Sequence, residues 1–112
     1  ADRAVPPGVI IIDRQVTGSC VRLLISGEAS VHTMAEVERA ADEADDTSLV
    51  LDLKNIAFVD CGALRSLRGI AEGRAQRNLG TGFVVAPSVR TAMAREGLAR
   101  YLDGFELAAG VQ

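Results

Sequence analysis

Short β-branched runs alternate along this chain with stretches in which apolar residues recur every three or four positions. Val9-Ile10-Ile11-Ile12 is a β-branched run and predicts a strand. Thr17-Gly18-Ser19 supplies turn residues and Cys20 to Ser26 predicts a second strand, so the two should form an antiparallel hairpin ended by Gly27. Met34, Val37, Ala40, Ala41 and Ala44 keep helical spacing, and Thr33 with Glu36 predicts a capping box at the start of that helix. Ser48 to Leu53 predicts a third strand, whose unbroken run Leu49-Val50-Leu51 fits a central strand covered on both faces. Ile56, Phe58 and Val59 extend the apolar character to the next turn. A second helix is expected from about Cys61 to Arg77, closed by Asn78 and Gly80. Phe83 to Ala86 predicts a fourth strand, stopped by Pro87, and Ser88 is expected to cap a third helix from Val89 to about Glu96. Gly97 breaks that helix, Leu98 to Leu102 adds a turn, and Phe105 to Ala108 predicts a last strand.

The predicted order is β-β-α-β-α-β-α-β. Strands alternating with helices imply an α/β fold: a mixed sheet that opens with an antiparallel hairpin, continues with parallel strands and carries helices packed on it. Pro6-Pro7-Gly8 marks residues 1–8 as an N-terminal tail, and residues 9–112 are expected to form one domain.

Composition narrows the function classes. Hydrophobic residues make up 48% of the chain and aromatic ones 4%, with no Trp, so the core must be aliphatic. A net charge of -3 argues against a nucleic-acid binder, because phosphate backbones are held by basic surfaces. Cys20 and Cys61 form no CxxC pair, and the single histidine, His32, has no ligand partner at metal-binding spacing. No metal or cofactor is therefore expected. Two free thiols in a small domain suit a reducing compartment. No run approaches the ~20 apolar residues of a bilayer span, and the expected location is the cytoplasm.

The sharpest local feature is the strand-to-helix corner at Asp60-Cys61-Gly62. Open α/β sheets place their sites at such carboxyl ends of strands, and a helix start adds unpaired N–H groups. Asp60 is expected to cap the helix. On a helical wheel Ala63, Leu64, Leu67, Ile70 and Ala71 fall together toward the core, while Gly62, Arg65, Arg68, Gly69, Glu72 and Gln76 face outward. Arg65, Arg68, Arg74 and Arg77 are read as solvated, Cys20 as a buried strand residue, His32 as exposed, and Asp52 as a strand-end carboxylate, hydrogen-bonded or solvated. Cys61 is read as a small residue suited to a tight corner.

With these residues in view the chain resembles the STAS family, which includes anti-sigma-factor antagonists, stressosome proteins and anion-transporter domains. The family's run is a hydrophobic strand holding an Asp, then an apolar residue, Asp-Ser-Ser-Gly and Leu. Here it is Leu51-Asp52-Leu53, then Phe58-Val59-Asp60-Cys61-Gly62-Ala63-Leu64. Gly27-Glu28-Ala29-Ser30 resembles the family's Gly-Glu-Leu-Asp turn, and Ser88-Val89-Arg90 with Gly97-Leu98 resembles its last βα unit. The element order matches from about Val9 to Ala108.

The resemblance implies a protein-interaction module of the anti-sigma-factor antagonist type. Such a module would bind an anti-sigma factor, often a GHKL-type serine kinase, and release a sigma factor. The partner-binding set it implies is Glu28, Ser30, Asp60, Cys61, Gly62, Arg65, Arg68 and Gly69. One departure stands out. In the phospho-regulated antagonists the second Ser of Asp-Ser-Ser-Gly accepts the phosphate, and Gly62, which has no hydroxyl, stands at that position. Ser30 and Ser66 are the weaker alternative acceptors. The other roles compatible with the resemblance are a STAS domain of a larger assembly or anion transporter, and a small-ligand-binding member. Catalysis is not expected. A Cys61 nucleophile has no base indicated by the sequence, and no glycine-rich phosphate loop followed by Lys occurs.

Overall fold

The computed structural model describes residues 8–44, 47–56 and 58–102. Its elements are β1 (Ile10–Thr17), β2 (Cys20–Gly27), α1 (Met34–Asp42), β3 (Ser48–Leu53), α2 (Cys61–Gln76), β4 (Thr81–Val85) and α3 (Pro87–Arg95), followed by a helical turn at 99–102. The expected last strand, Phe105 to Ala108, and the tail before Gly8 lie outside the described residues.

The strands form one sheet in the order β1-β2-β3-β4. β1 and β2 pair antiparallel, while β2–β3 and β3–β4 pair parallel through the crossovers α1 and α2. Thr17 pairs directly with Cys20, leaving a two-residue turn. Gly18 holds φ at 59° in that turn, a left-handed conformation that glycine adopts without a Cβ penalty. β1 runs past the predicted end at Ile12 as far as Thr17. Asp13, Arg14 and Gln15 pair with Leu24, Leu23 and Arg22, and on an edge strand their polar side chains reach solvent.

One aliphatic core lies between the sheet and the helices. Leu49, Leu51 and Leu53 of β3 meet Leu23 and Ile25 of β2 and Phe83 of β4. The helices add Met34, Val37 and Ala41, then Ala63, Leu64, Leu67 and Ala71, then Val89 and Met93. Phe83 meets Tyr101 edge-on, with ring centroids 6.1 Å apart. Val50 and Asp52 alternate onto the opposite sheet face and are also buried, so β3 is covered on both sides as its sequence predicts.

Of the two environments the sequence leaves open for Asp52, hydrogen-bonded or solvated, it takes the first, and it is buried. It is 2% exposed, and its Oδ2 accepts from Arg22 at 2.6 Å across the β2–β3 pair. The Lys54 N–H donates to Oδ1 at 3.2 Å, and the Lys54 ammonium lies 3.5 Å from Oδ2. Burial alone would raise the pKa of this carboxyl. The Arg22 hydrogen bond, the Lys54 N–H and the two positive charges outweigh burial and hold it below the ordinary carboxylate value.

Arg74 departs from the solvated position expected of it. It is 3% exposed rather than solvated, because it continues the core-facing stripe of Leu67 and Ala71. Its guanidinium donates to the Thr81 hydroxyl at 2.9 Å, to the Ala44 and Gly80 carbonyls at 3.1 Å each, and to the Thr47 carbonyl. One side chain thereby joins the end of α2 to the segments leading into β3 and β4.

The helix starts split between expectation and correction. Asp60 caps α2 as expected, its Oδ1 accepting the Ala63 N–H at 2.8 Å. Thr33 forms no capping box. It is already helical at φ -100°, and its hydroxyl braces the preceding loop, accepting the Ser30 N–H at 3.0 Å and donating to the Glu28 carbonyl at 2.7 Å. Ser88 does not cap α3. The helix begins one residue earlier at Pro87, whose missing N–H and fixed φ suit a first helical position. At the far end of α2, Asn78 takes φ 61°, with Leu79 N–H on the Arg74 carbonyl and Asn78 N–H on that of Ala75. That is a Schellman closure. Gly97, at φ 82°, closes α3 the same way, with Leu98 N–H on the Met93 carbonyl. Cys20, expected buried, is half-buried, because it opens β2 at the hairpin turn.

Candidate functional site

The candidate site forms where the chain leaves β3 and enters α2. Val59 makes a parallel bridge with Ala29, and the Asp60 N–H reaches the Ala29 carbonyl at 3.5 Å. These contacts hold the loop between β2 and α1 against the first turn of α2. The approach is close enough to dictate a residue type. A Cβ placed on Gly62 would lie 2.7 Å from the Val31 Cβ and 3.1 Å from its Cγ2. Glycine at 62 is therefore a steric requirement of this packing, independent of any flexibility.

The eight residues singled out in the sequence fall in three places. Ser30, Asp60, Cys61 and Gly62 sit at this corner, with Glu28 at the start of the same loop. Glu28 is tied to the N-terminal side: its carboxylate accepts the Gly8 N–H at 2.6 Å and its N–H donates to the Val9 carbonyl. Arg65 and Gly69 lie farther along α2. With Glu38 and Asp42 of α1 and Gly73 and Arg77 they line a cleft of about 410 Å³ between the two helices. Arg68 points elsewhere, pairing with Glu72 at 3.3 Å and with Glu96, just past α3, at 3.6 Å.

The corner also holds two residues absent from that set. Val31 is 59% exposed and Phe58 70% exposed. The sequence groups Phe58 with Ile56 and Val59 as one apolar run, yet those two are buried and Phe58 faces solvent. Adjacent residues in extended chain point opposite ways, so burial of Val59 turns Phe58 out. That alternation is the signal by which the sequence could have shown it. Cys61 is an exposed free thiol at the first position of α2.

Among the described residues no group of three or more His, Cys, Asp or Glu side chains is placed to hold a metal ion. No helix among them is long and apolar enough to cross a membrane.

The hairpin-led mixed sheet with helices packed on it is a STAS-like α/β fold. The crystal structure of an anti-sigma factor antagonist from Mycobacterium paratuberculosis has this fold. It matches at a TM-score of 0.71 and 24% identity, over 87% of this chain and 86% of that one. No protein-family model and no curated protein matches the sequence.

Proposed function

We propose that this chain is a cytoplasmic protein-binding module of the anti-sigma-factor antagonist kind, which sequesters an anti-sigma factor and so frees a sigma factor. The observation that carries the reading is the likeness of fold, over nearly the whole of both chains, to a protein described as an anti-sigma factor antagonist. The corner supports it. Ser30, Asp60, Cys61 and Gly62, flanked by Glu28, offer a rigid surface made of two stapled loops, and a helix start is suited to meeting another backbone closely. Arg65 and Gly69 in the cleft, and Arg68 toward α3, extend that surface along α2. The chain acts by binding and carries no catalytic step. A kinase partner could transfer no phosphate to position 62, so binding is not switched off by phosphorylation at that residue.

The test is displacement. Each anti-sigma factor of the source organism is loaded with its fluorescently labelled sigma factor, and the chain is titrated in while anisotropy is followed. Release of one sigma factor, weakened by Arg65→Glu, is the expected result. Failure to release any of them at saturating chain refutes the antagonist reading.

A further inference from the structure

Five large hydrophobic side chains are exposed among the described residues: Val9, Ile11, Val16, Val31 and Phe58. The first three lie on or beside the edge strand β1. Val31 and Phe58 lie on the two loops at the carboxyl end of the parallel strands, two residues after Ala29 and one before Val59, the pair that bridges those loops. Val31 is also the residue packed on Gly62, its Cβ occupying the space that a side chain at 62 would need. Whatever docks over the first turn of α2 meets valine methyls there, and not a side chain of residue 62.

We propose that Val31 and Phe58 are the apolar anchor with which the corner holds its protein partner, and that the facing surface of that partner is an apolar recess with basic groups on the side that meets Glu28 and Glu36. This rests on the antagonist reading above and specifies its contact. Exposed bulky apolar groups rimmed by polar residues mark interaction surfaces, and phenylalanine is enriched at interfaces. The bridge and the Gly62 contact fix the loops that carry them, so little freedom is lost on docking. Charge selects the partner's rim. Glu28 and Glu36 bracket the loop that carries Val31, both exposed, and His32 is the only basic residue between them. The Asp60 carboxylate is engaged as the helix cap. The acidic flanks favour a basic counterpart.

The experiment measures binding of the purified anti-sigma factors of the source organism, each presented singly, to the wild-type chain and its variants on a biosensor. Wild type should bind one of them. Val31→Ala and Phe58→Ala should each weaken that binding by at least about ten-fold, the effect of a hot-spot truncation. Val16→Ala, an equally exposed position on β1, should change it by less than about two-fold. A double variant separates contact from space-filling. Val31→Gly with Gly62→Ala removes the clash but also the methyls, and it should bind as weakly as Val31→Ala. Wild-type affinity in that double variant, or in both alanine variants, overturns the anchor while leaving the antagonist reading intact. Self-association of the wild-type chain in sedimentation, lost in Val31→Ala and Phe58→Ala, assigns the patch to a second copy and overturns it too. No binding by the wild-type chain defeats the antagonist reading, and the anchor with it.

Discussion

Replacing Arg74 by methionine should cost this fold more than the loss of a helix cap or of a surface ion pair. Methionine keeps most of the apolar stem and deletes the guanidinium, which donates to the Ala44, Thr47 and Gly80 carbonyls and to the Thr81 hydroxyl. The four acceptors differ in what becomes of them. Gly80 is exposed, so water replaces its partner, and the Thr81 hydroxyl can rotate toward another. The Ala44 carbonyl keeps the Thr47 hydroxyl as a donor at 2.9 Å, but the carbonyl of half-buried Thr47 loses its guanidinium partner, and an acceptor left buried and unpaired costs ~1–3 kcal/mol. Counting that one alone gives a loss of roughly 1–3 kcal/mol, a sizeable part of the ~5–15 kcal/mol that usually holds a domain together. At about 4 °C per kcal/mol for a domain of this size, Tm should fall by roughly 4–12 °C. The assay is urea unfolding followed by far-UV circular dichroism, with a lower midpoint at unchanged m as the expected signature. Arg68→Met is the control. Arg68 forms only exposed ion pairs, and its loss should stay below about 1 kcal/mol. An Arg74→Met protein within about 1 kcal/mol of wild type would refute the inference that this guanidinium fastens the fold.

Three further substitutions probe separate elements. Asp60→Ala removes the α2 cap and should lower stability by ~0.5–2 kcal/mol in the same unfolding assay, with Asp60→Asn losing only part of that. Asn78→Ala holds a Cβ-bearing residue in the left-handed region without a polar side chain to support it and should cost ~1 kcal/mol, whereas Asn78→Gly should be neutral or better. Asp52 titrates below its ordinary value when folded, so its ion pair stabilises the fold fully above the unfolded pKa of ~3.9 and less and less as pH falls through the lower folded pKa. Stability of the wild-type chain should therefore drop steeply below about pH 4, and Asp52→Asn, less stable at pH 7, should show a flatter acid limb. Parallel acid limbs in the two proteins would remove Asp52 from that account.

Much of the fold was legible because its signals are local. β-branched runs and turn residues located β2, β3 and the hairpin, and the helical stripe from Ala63 to Ala71 named the buried face of α2. The misreadings occur where a distant segment decides. β1 is long because β2 pairs with its polar half, which no apolar pattern in Asp13-Arg14-Gln15 announces. Arg74 lies one heptad after Leu67 and so was placeable on the core face, yet its acceptors at Ala44 and Thr47, 30 and 27 residues upstream, were not visible. Thr33 and Ser88 have the composition of caps. The loop before one and the proline before the other took over that role. At the corner, Gly62 was legible as a missing side chain, but the valine that fills its space came from another loop.

The Arg74 fastening has a consequence for how this chain can diverge. Its acceptors sit at the amino ends of β3 and β4, and the stapled loops lie at the carboxyl end of β3, roughly 20 Å away along a six-residue strand. The Arg74 fastening and the proposed contact surface therefore lie at opposite poles of the sheet. Substitutions confined to the exposed side chains of the loop pole leave that fastening untouched, so exchanging Val31 and Phe58 for other residues should alter the proposed contact and leave the melting curve nearly where it was.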